Sequence, residues 1–120
     1  MALSENLPVF KATYDLLLDT YRRFQNVPRS VKFTIVEKIR EELLDVLAII
    51  TAANIDRDKQ SQLERAWWMV QRIKLRVRLL SDLHAVPLKL YAQLSMSLES
   101  ISKQLMAWRK SSLSNHQQHV

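Results

Sequence analysis

The chain has no glycine in 120 residues, and that absence restricts its fold more than any motif it carries. Glycine supplies the positive-φ positions of tight hairpin turns, β-bulges and left-handed helix caps, and the close backbone approach of phosphate loops. Only three prolines add further breaks. What remains is a chain suited to long helices, so the sequence predicts an all-α fold.

Four apolar repeats at helical spacing place those helices. Phe10, Tyr14, Leu17, Tyr21 and Phe24 recur every three or four residues and predict a first helix over about 7–25. Asn26, Val27 and Pro28 interrupt it, because proline lacks an amide donor and disfavours helix at the residue before it. A second helix over 29–53 follows, with Ile35, Ile39, Leu43, Val46 and Ile50 on one stripe and Leu47 beside it. Glu37, Lys38, Glu41 and Asp45 fall on its polar side. The connection at 54–58 offers Asp56 or Asp58 as a cap for a third helix over 57–83.

Within that third helix, residues 72–79 alternate polar and apolar as a half-buried strand does. The alternation sits inside a longer segment where Ala66, Val70, Ile73, Val77 and Leu80 keep helical spacing, and no partner strand is visible. After the break at His84 to Pro87, Tyr91, Leu94, Leu98, Ile101, Leu105 and Trp108 mark a fourth helix over 88–110. Four such helices with short connections specify an up-down-up-down bundle over residues 1–110, followed by a flexible polar tail at 111–120.

Charge is concentrated rather than spread. Of the net +6, residues 57–80 hold +5, from seven basic and two acidic side chains. The same segment carries two apolar faces where a bundle helix needs one. Opposite the stripe through Ile73 lie Trp68, Leu75 and Leu79, with Trp67 near the margin, bounded by Arg65, Arg72 and Arg76 on one side and by Lys74 and Arg78 on the other. An exposed apolar patch of this kind marks association, so Trp67, Trp68, Leu75 and Leu79 are the candidate oligomer interface. The five cations Arg65, Arg72, Lys74, Arg76 and Arg78 are the candidate phosphate contacts, giving salt-sensitive and sequence-tolerant nucleic-acid binding. Arg22 and Arg23, at the end of the first helix, have the plain role of complementing its dipole.

Several chemistries lack their residues. Without cysteine there are no disulfides, thiolate metal sites or thiol nucleophiles. The carboxylates Glu37, Glu41 and Asp45 face outward and no Glu-x-x-His pair occurs, which argues against a di-iron bundle. His116 and His119 lie one helical turn apart, too few ligands for a metal site. No catalytic residue, metal or cofactor is therefore expected. Residues Met1 to Asn6 lack a basic start followed by an apolar run, and no stretch reaches the ~18 apolar residues of a membrane span. These features predict a cytoplasmic protein that does not engage membranes.

From Leu7 to Lys110 the sequence resembles the Avd (accessory variability determinant) and four-helix-bundle protein group. The segment Pro28-Arg29-Ser30-Val31-Lys32-Phe33-Thr34-Ile35-Val36-Glu37-Lys38-Ile39-Arg40 is similar to the group's proline, basic, aromatic and Ile-Arg pattern. The aromatic, basic third helix and Trp108 add to the likeness. The resemblance implies a protomer of a homopentameric, basic ring that binds the reverse transcriptase and template RNA of a diversity-generating retroelement, the partner carrying the polymerase chemistry. Relatives encoded in intervening sequences of ribosomal RNA genes share the scaffold, which leaves an orphan interaction protein as an alternative. Arg78 and His84 are also similar to the Arg-x(4-6)-His motif of HEPN ribonucleases, a likeness of two residues that a surface arginine and a loop histidine equally explain.

Overall fold

The structure, a computed structural model, describes residues 3–118, with side chains described as far as Leu113. Among the described residues every regular element is helical. A 3₁₀ turn, Ser4–Asn6, precedes α1 (Pro8–Arg22), α2 (residues 29–55), α3 (Gln60–Asp82) and α4 (Leu88–Gln118). α1 packs on α2 and α4, and α3 packs on the same two helices from the other side. Sequence neighbours are thus spatial neighbours, which is the up-down-up-down arrangement, in a body of 53 × 22 × 21 Å. Among the described residues no helix is long and apolar enough to cross a membrane.

The core runs down the bundle axis through Leu43, Ile50, Leu63, Ile73, Leu98 and Leu105, all fully buried. On α3 the buried set matches the predicted stripe, Ala66, Val70, Ile73, Val77 and Leu80, joined by Leu63. On α4, Leu94, Leu98, Ile101 and Leu105 are buried as expected, while Tyr91 and Trp108 cover the core from its margin.

α1 corrects the predicted seam. Its buried residues are Val9, Thr13, Leu16, Leu17 and Thr20, with Phe24 beyond its end, whereas Tyr14 and Tyr21 are exposed. Two threonines can occupy a core face because each hydroxyl donates to a carbonyl of its own helix, Thr13 Oγ1 to Val9 O (2.7 Å) and Thr20 Oγ1 to Leu17 O (2.6 Å). The tyrosines gain other partners: Phe10 stacks near Tyr14, and the Arg40 guanidinium lies 4.0 Å from the Tyr21 ring centre.

α2 opens after Pro28 with a single turn, Arg29–Val31, widens into a π-helical turn, Lys32–Val36, and continues as α-helix, Glu37–Ile55. A π turn holds one residue more than an α turn and so rotates the faces before and after it. Here Val36, not Ile35, takes the fully buried place one turn before Ile39, and Ile35 stays half-buried.

The connections show how the chain turns without glycine. α3 ends in a paired set of backbone bonds, Ala85 N–H to Leu80 O and His84 N–H to Ser81 O, both 2.9 Å. This is the Schellman arrangement, and His84 supplies its left-handed residue with φ 56°. Before α3, the Gln60 amide donates to Asp58 Oδ1 (3.1 Å) in a local turn, but the N-cap is Lys59 and makes no side-chain capping bond, so neither Asp56 nor Asp58 takes the predicted cap position.

The end of α4 also differs from expectation. The backbone stays helical to Gln118 instead of passing into a polar tail near Lys110. Residues 111–118 contain neither glycine nor proline, and each residue added to a formed helix closes one more hydrogen bond without a new nucleation cost. His119, and with it the His116–His119 pair, lies outside the described residues.

Candidate functional site

The outer face of α3 is where the predicted site residues meet. At about 100° per residue, Trp68, Leu75 and Leu79 fall opposite the Ile73 stripe, and they remain in solvent at 61%, 66% and 46% exposure. Trp67 is placed differently. It is half-buried, packs on the core, and meets Trp68 edge to face with ring centres 4.9 Å apart. Between α3 and α4 these rings line a groove of about 550 Å³ with Gln71, Lys74, Leu75, Arg78, Tyr91, Ser95 and Glu99.

The five candidate cations do not stand equally free. On the flank facing α2, Arg76 Nε donates to Glu42 Oε1 at 2.5 Å, and Arg72 Nη1 lies 3.7 Å from Glu42 Oε2. Glu42 is buried, and its Oε2 accepts no hydrogen bond, so the arginines are the counter-charge that lets the carboxylate sit there. Arg76 is held down by this contact at 30% side-chain exposure, while Arg72 extends outward at 67%. On the flank facing α4, Lys74 Nζ donates to Glu99 Oε2 at 2.8 Å. The Lys74 ammonium holds the Glu99 carboxyl below its ordinary value of 4.5. Arg78 faces Asp82, one turn along its own helix, at 3.8 Å with both side chains largely exposed. Arg65 is exposed and joins no ion pair among the described residues.

The contacts divide the set by function. Arg76 and Lys74 tie α3 to its neighbours. Arg65, Arg72 and Arg78 point outward: the Arg78–Asp82 pair is exposed on both sides and contributes little, and Arg72, though it faces the buried Glu42 at 3.7 Å, is itself 67% exposed. Glu42 is the residue missed in the sequence. Its signal was its position, one turn from both Ile39 and Val46 on the apolar side of α2, where a carboxylate requires a cation from a neighbouring helix.

Among the described residues no hydrogen bond joins Arg78 and His84. Arg78 turns toward Asp82, and the His84 backbone closes the end of α3 with its side chain exposed. Among the described residues no group of three or more His, Asp or Glu side chains is arranged to hold a metal ion.

Fold and surface together define a basic four-helix-bundle protein with an exposed apolar and cationic helix face. The chain matches the bAvd-like family over residues 9–112, and it belongs to that family. No curated protein matches it.

Proposed function

We propose that this chain is a non-catalytic accessory protein of a diversity-generating retroelement, which assembles into a homo-oligomeric ring and holds template RNA beside the reverse transcriptase. One observation carries the reading: a bundle of the bAvd-like family leaves Trp68, Leu75 and Leu79 in solvent inside a frame of outward arginines. Apolar side chains of that size gain free energy when a second protein surface covers them. The arginines around them cannot be buried without anionic partners, so they remain at the rim, open to phosphate.

Arg65, Arg72 and Arg78 are the phosphate contacts in this reading. Arg76 and Lys74 act at one remove, by fixing α3 against Glu42 and Glu99. A ring repeats the three arginines around its circumference, which turns a weak contact per subunit into a useful affinity for one RNA. Counterion release makes that affinity steeply salt-dependent.

The test is a variant in which Arg65, Arg72 and Arg78 are all Gln. Retention of single-stranded RNA should fall, with a salt dependence flatter by about 2 logarithmic units per tenfold salt, at ~0.7 for each lost single-strand contact. Helicity and assembly should be unchanged. Unaltered RNA retention would remove this face from the mechanism, and RNA cleavage abolished by His84→Ala would replace the adaptor with a ribonuclease.

A further inference from the structure

We infer that the end of the bundle formed by the α1–α2 and α3–α4 connections is a second phosphate-binding site, built to take the backbone of a single-stranded polynucleotide. The topology brings the end of α1, the start of α2, the end of α3 and the start of α4 to this one end. Arg22, Arg23, Arg29 and Lys32 come from the first connection and its flanking turns, and Lys89 from the second. Residues 20–33 and 83–93 contain five basic side chains and no acidic one.

These cations differ from those on α3 in lacking carboxylate partners. No ion pair joins any of the five to an acid among the described residues. Of the acids one turn inward, Glu37 bonds Arg40 at 2.6 Å and Asp82 faces Arg78, while Asp19, one turn before Arg22 and Arg23, joins no ion pair among the described residues. Arg23 donates to Gln93, and Lys32 Nζ reaches Gln25 O at 3.5 Å, contacts that orient the side chains and leave their charge uncancelled.

Local stability does not account for three of the five. Arg22 and Arg23 sit at a helix C-terminus, where positive charge is favourable. Arg29 and Lys32 open α2 and Lys89 opens α4, and a cation near a helix N-terminus opposes the dipole. Charge placed against the local preference is explained by an external anion.

The shape of the end indicates which anion. Arg23, Asn26 and Lys89 stand at a recess of about 370 Å³ between the two connections whose remaining lining, Val27, Ala85, Val86, Pro87 and Leu90, is apolar; it is large enough for a phosphodiester group held at its polar side. One helical turn from Arg29, Phe33 stands in solvent with the guanidinium 5.5 Å from its ring centre. An exposed aromatic ring among cations is a platform for an unpaired base whose phosphates the cations take. Leu83 and Leu88, also exposed at this end, extend the apolar edge.

This site is independent of the α3 face, so the two are separated by parallel variants of the full chain. A labelled 20-nucleotide single-stranded RNA, the matching duplex, and vesicles of anionic phospholipid serve as probes between 50 mM and 1 M salt. Arg29→Gln/Lys32→Gln/Lys89→Gln should flatten the single-strand salt slope by about 2, at ~0.7 per contact, a loss of roughly 100-fold at 0.1 M salt that vanishes near 1 M. Phe33→Ala should narrow the preference for single strand over duplex and leave the slope unchanged. Circular dichroism and light scattering check that fold and assembly persist. If the triple variant melts early, Lys89→Gln alone should flatten the slope by about 0.7.

An unchanged slope in these variants, with all the loss in the Arg65/Arg72/Arg78 variant, would overturn this site and leave the α3 reading intact. The converse result would keep this site and reject the α3 face. Vesicle binding that depends on Arg29, Lys32 and Lys89 while RNA binding does not would also overturn the proposal, as would duplex binding equal to single-strand binding.

Discussion

The two apolar faces of α3 have similar chemistry and opposite surroundings. The inner face, Ala66, Val70, Ile73, Val77 and Leu80, is buried in the bundle where α3 packs on α2 and α4; the outer face, Trp68, Leu75 and Leu79, meets solvent within the single chain. What separates them is the flanks. Arg76 on one side and Lys74 on the other are fastened to Glu42 of α2 and Glu99 of α4, and these ties fix the rotation of α3 about its axis. A helix with apolar residues on opposite sides has two ways to face a core, and the buried carboxylate selects one. The contrast teaches that polar contacts at the margin of a bundle helix decide which of two hydrophobic stripes becomes core and which stays available to a partner.

The largest break in this comparison comes from trimming each face in turn. Ile73→Ala should destabilise the chain by about 2–5 kcal/mol through lost burial and the cavity left behind. Leu75→Ala should change chemical denaturation by about 0.5 kcal/mol or less in the dissociated chain, yet Trp68→Ala with Leu75→Ala should shift light scattering toward smaller assemblies. Equal losses of stability from Ile73→Ala and Leu75→Ala would mean that the outer face is part of the single-chain core.

Glu42→Gln sharpens the comparison at its margin. Gln keeps an oxygen that can accept from Arg76 but removes the charge, and since charge assistance roughly doubles such a bond, about 1–1.5 kcal/mol is at stake. Urea unfolding should show a loss of that order. At the same time Arg72 and Arg76 lose their internal anion, so RNA should bind more tightly at low salt. A variant of unchanged stability would show that Glu42 does not hold α3 in place.

A smaller effect is expected where α3 ends. If His84 serves as a left-handed cap, His84→Gly relieves the contact of its Cβ with the backbone and should stabilise by about 1 kcal/mol in thermal or urea melts. A loss of stability would indicate that the imidazole itself makes a needed contact.

The smallest effect concerns the flank toward α4. The Glu99 carboxyl is held below its usual value by Lys74, so the stability it contributes is present above the ordinary value of 4.5 and lost as pH falls through the lowered one. Acid titration should therefore show a slightly shallower loss of stability below pH 4.5 in Glu99→Gln than in the parent. Identical acid curves would mean that the Lys74 contact does not persist in solution.

The bundle was legible because glycine is missing and the apolar spacing on α3 and α4 is regular enough to name most of the buried positions. α1 was less legible. A hydropathy pattern counts Tyr14 and Tyr21 as core and Thr13 and Thr20 as surface, and cannot register that a hydroxyl bonded to its own helix is a tolerable core group. The two faces of α3 follow from angular position alone, and so do the cations beside them. Their state of pairing does not, because Glu42 and Glu99 come from other helices and meet α3 only through the packing. The left-handed turn at His84 was hidden for a related reason: without glycine the sequence marks no such turn, and the backbone bonds to Leu80 and Ser81 impose it on the residue present.

The accessory role itself is tested most directly by weighing a complex. The chain is expressed with the reverse transcriptase and template RNA of a diversity-generating retroelement, purified through a tag on the polymerase, and measured by light scattering and native mass spectrometry. The expected result is one species containing polymerase, RNA and several copies of this chain, five by the family resemblance, which loses this chain when Trp68 and Leu75 are replaced by Ala. Polymerase and RNA that purify without this chain, or a chain that stays monomeric beside them, would contradict the proposed function.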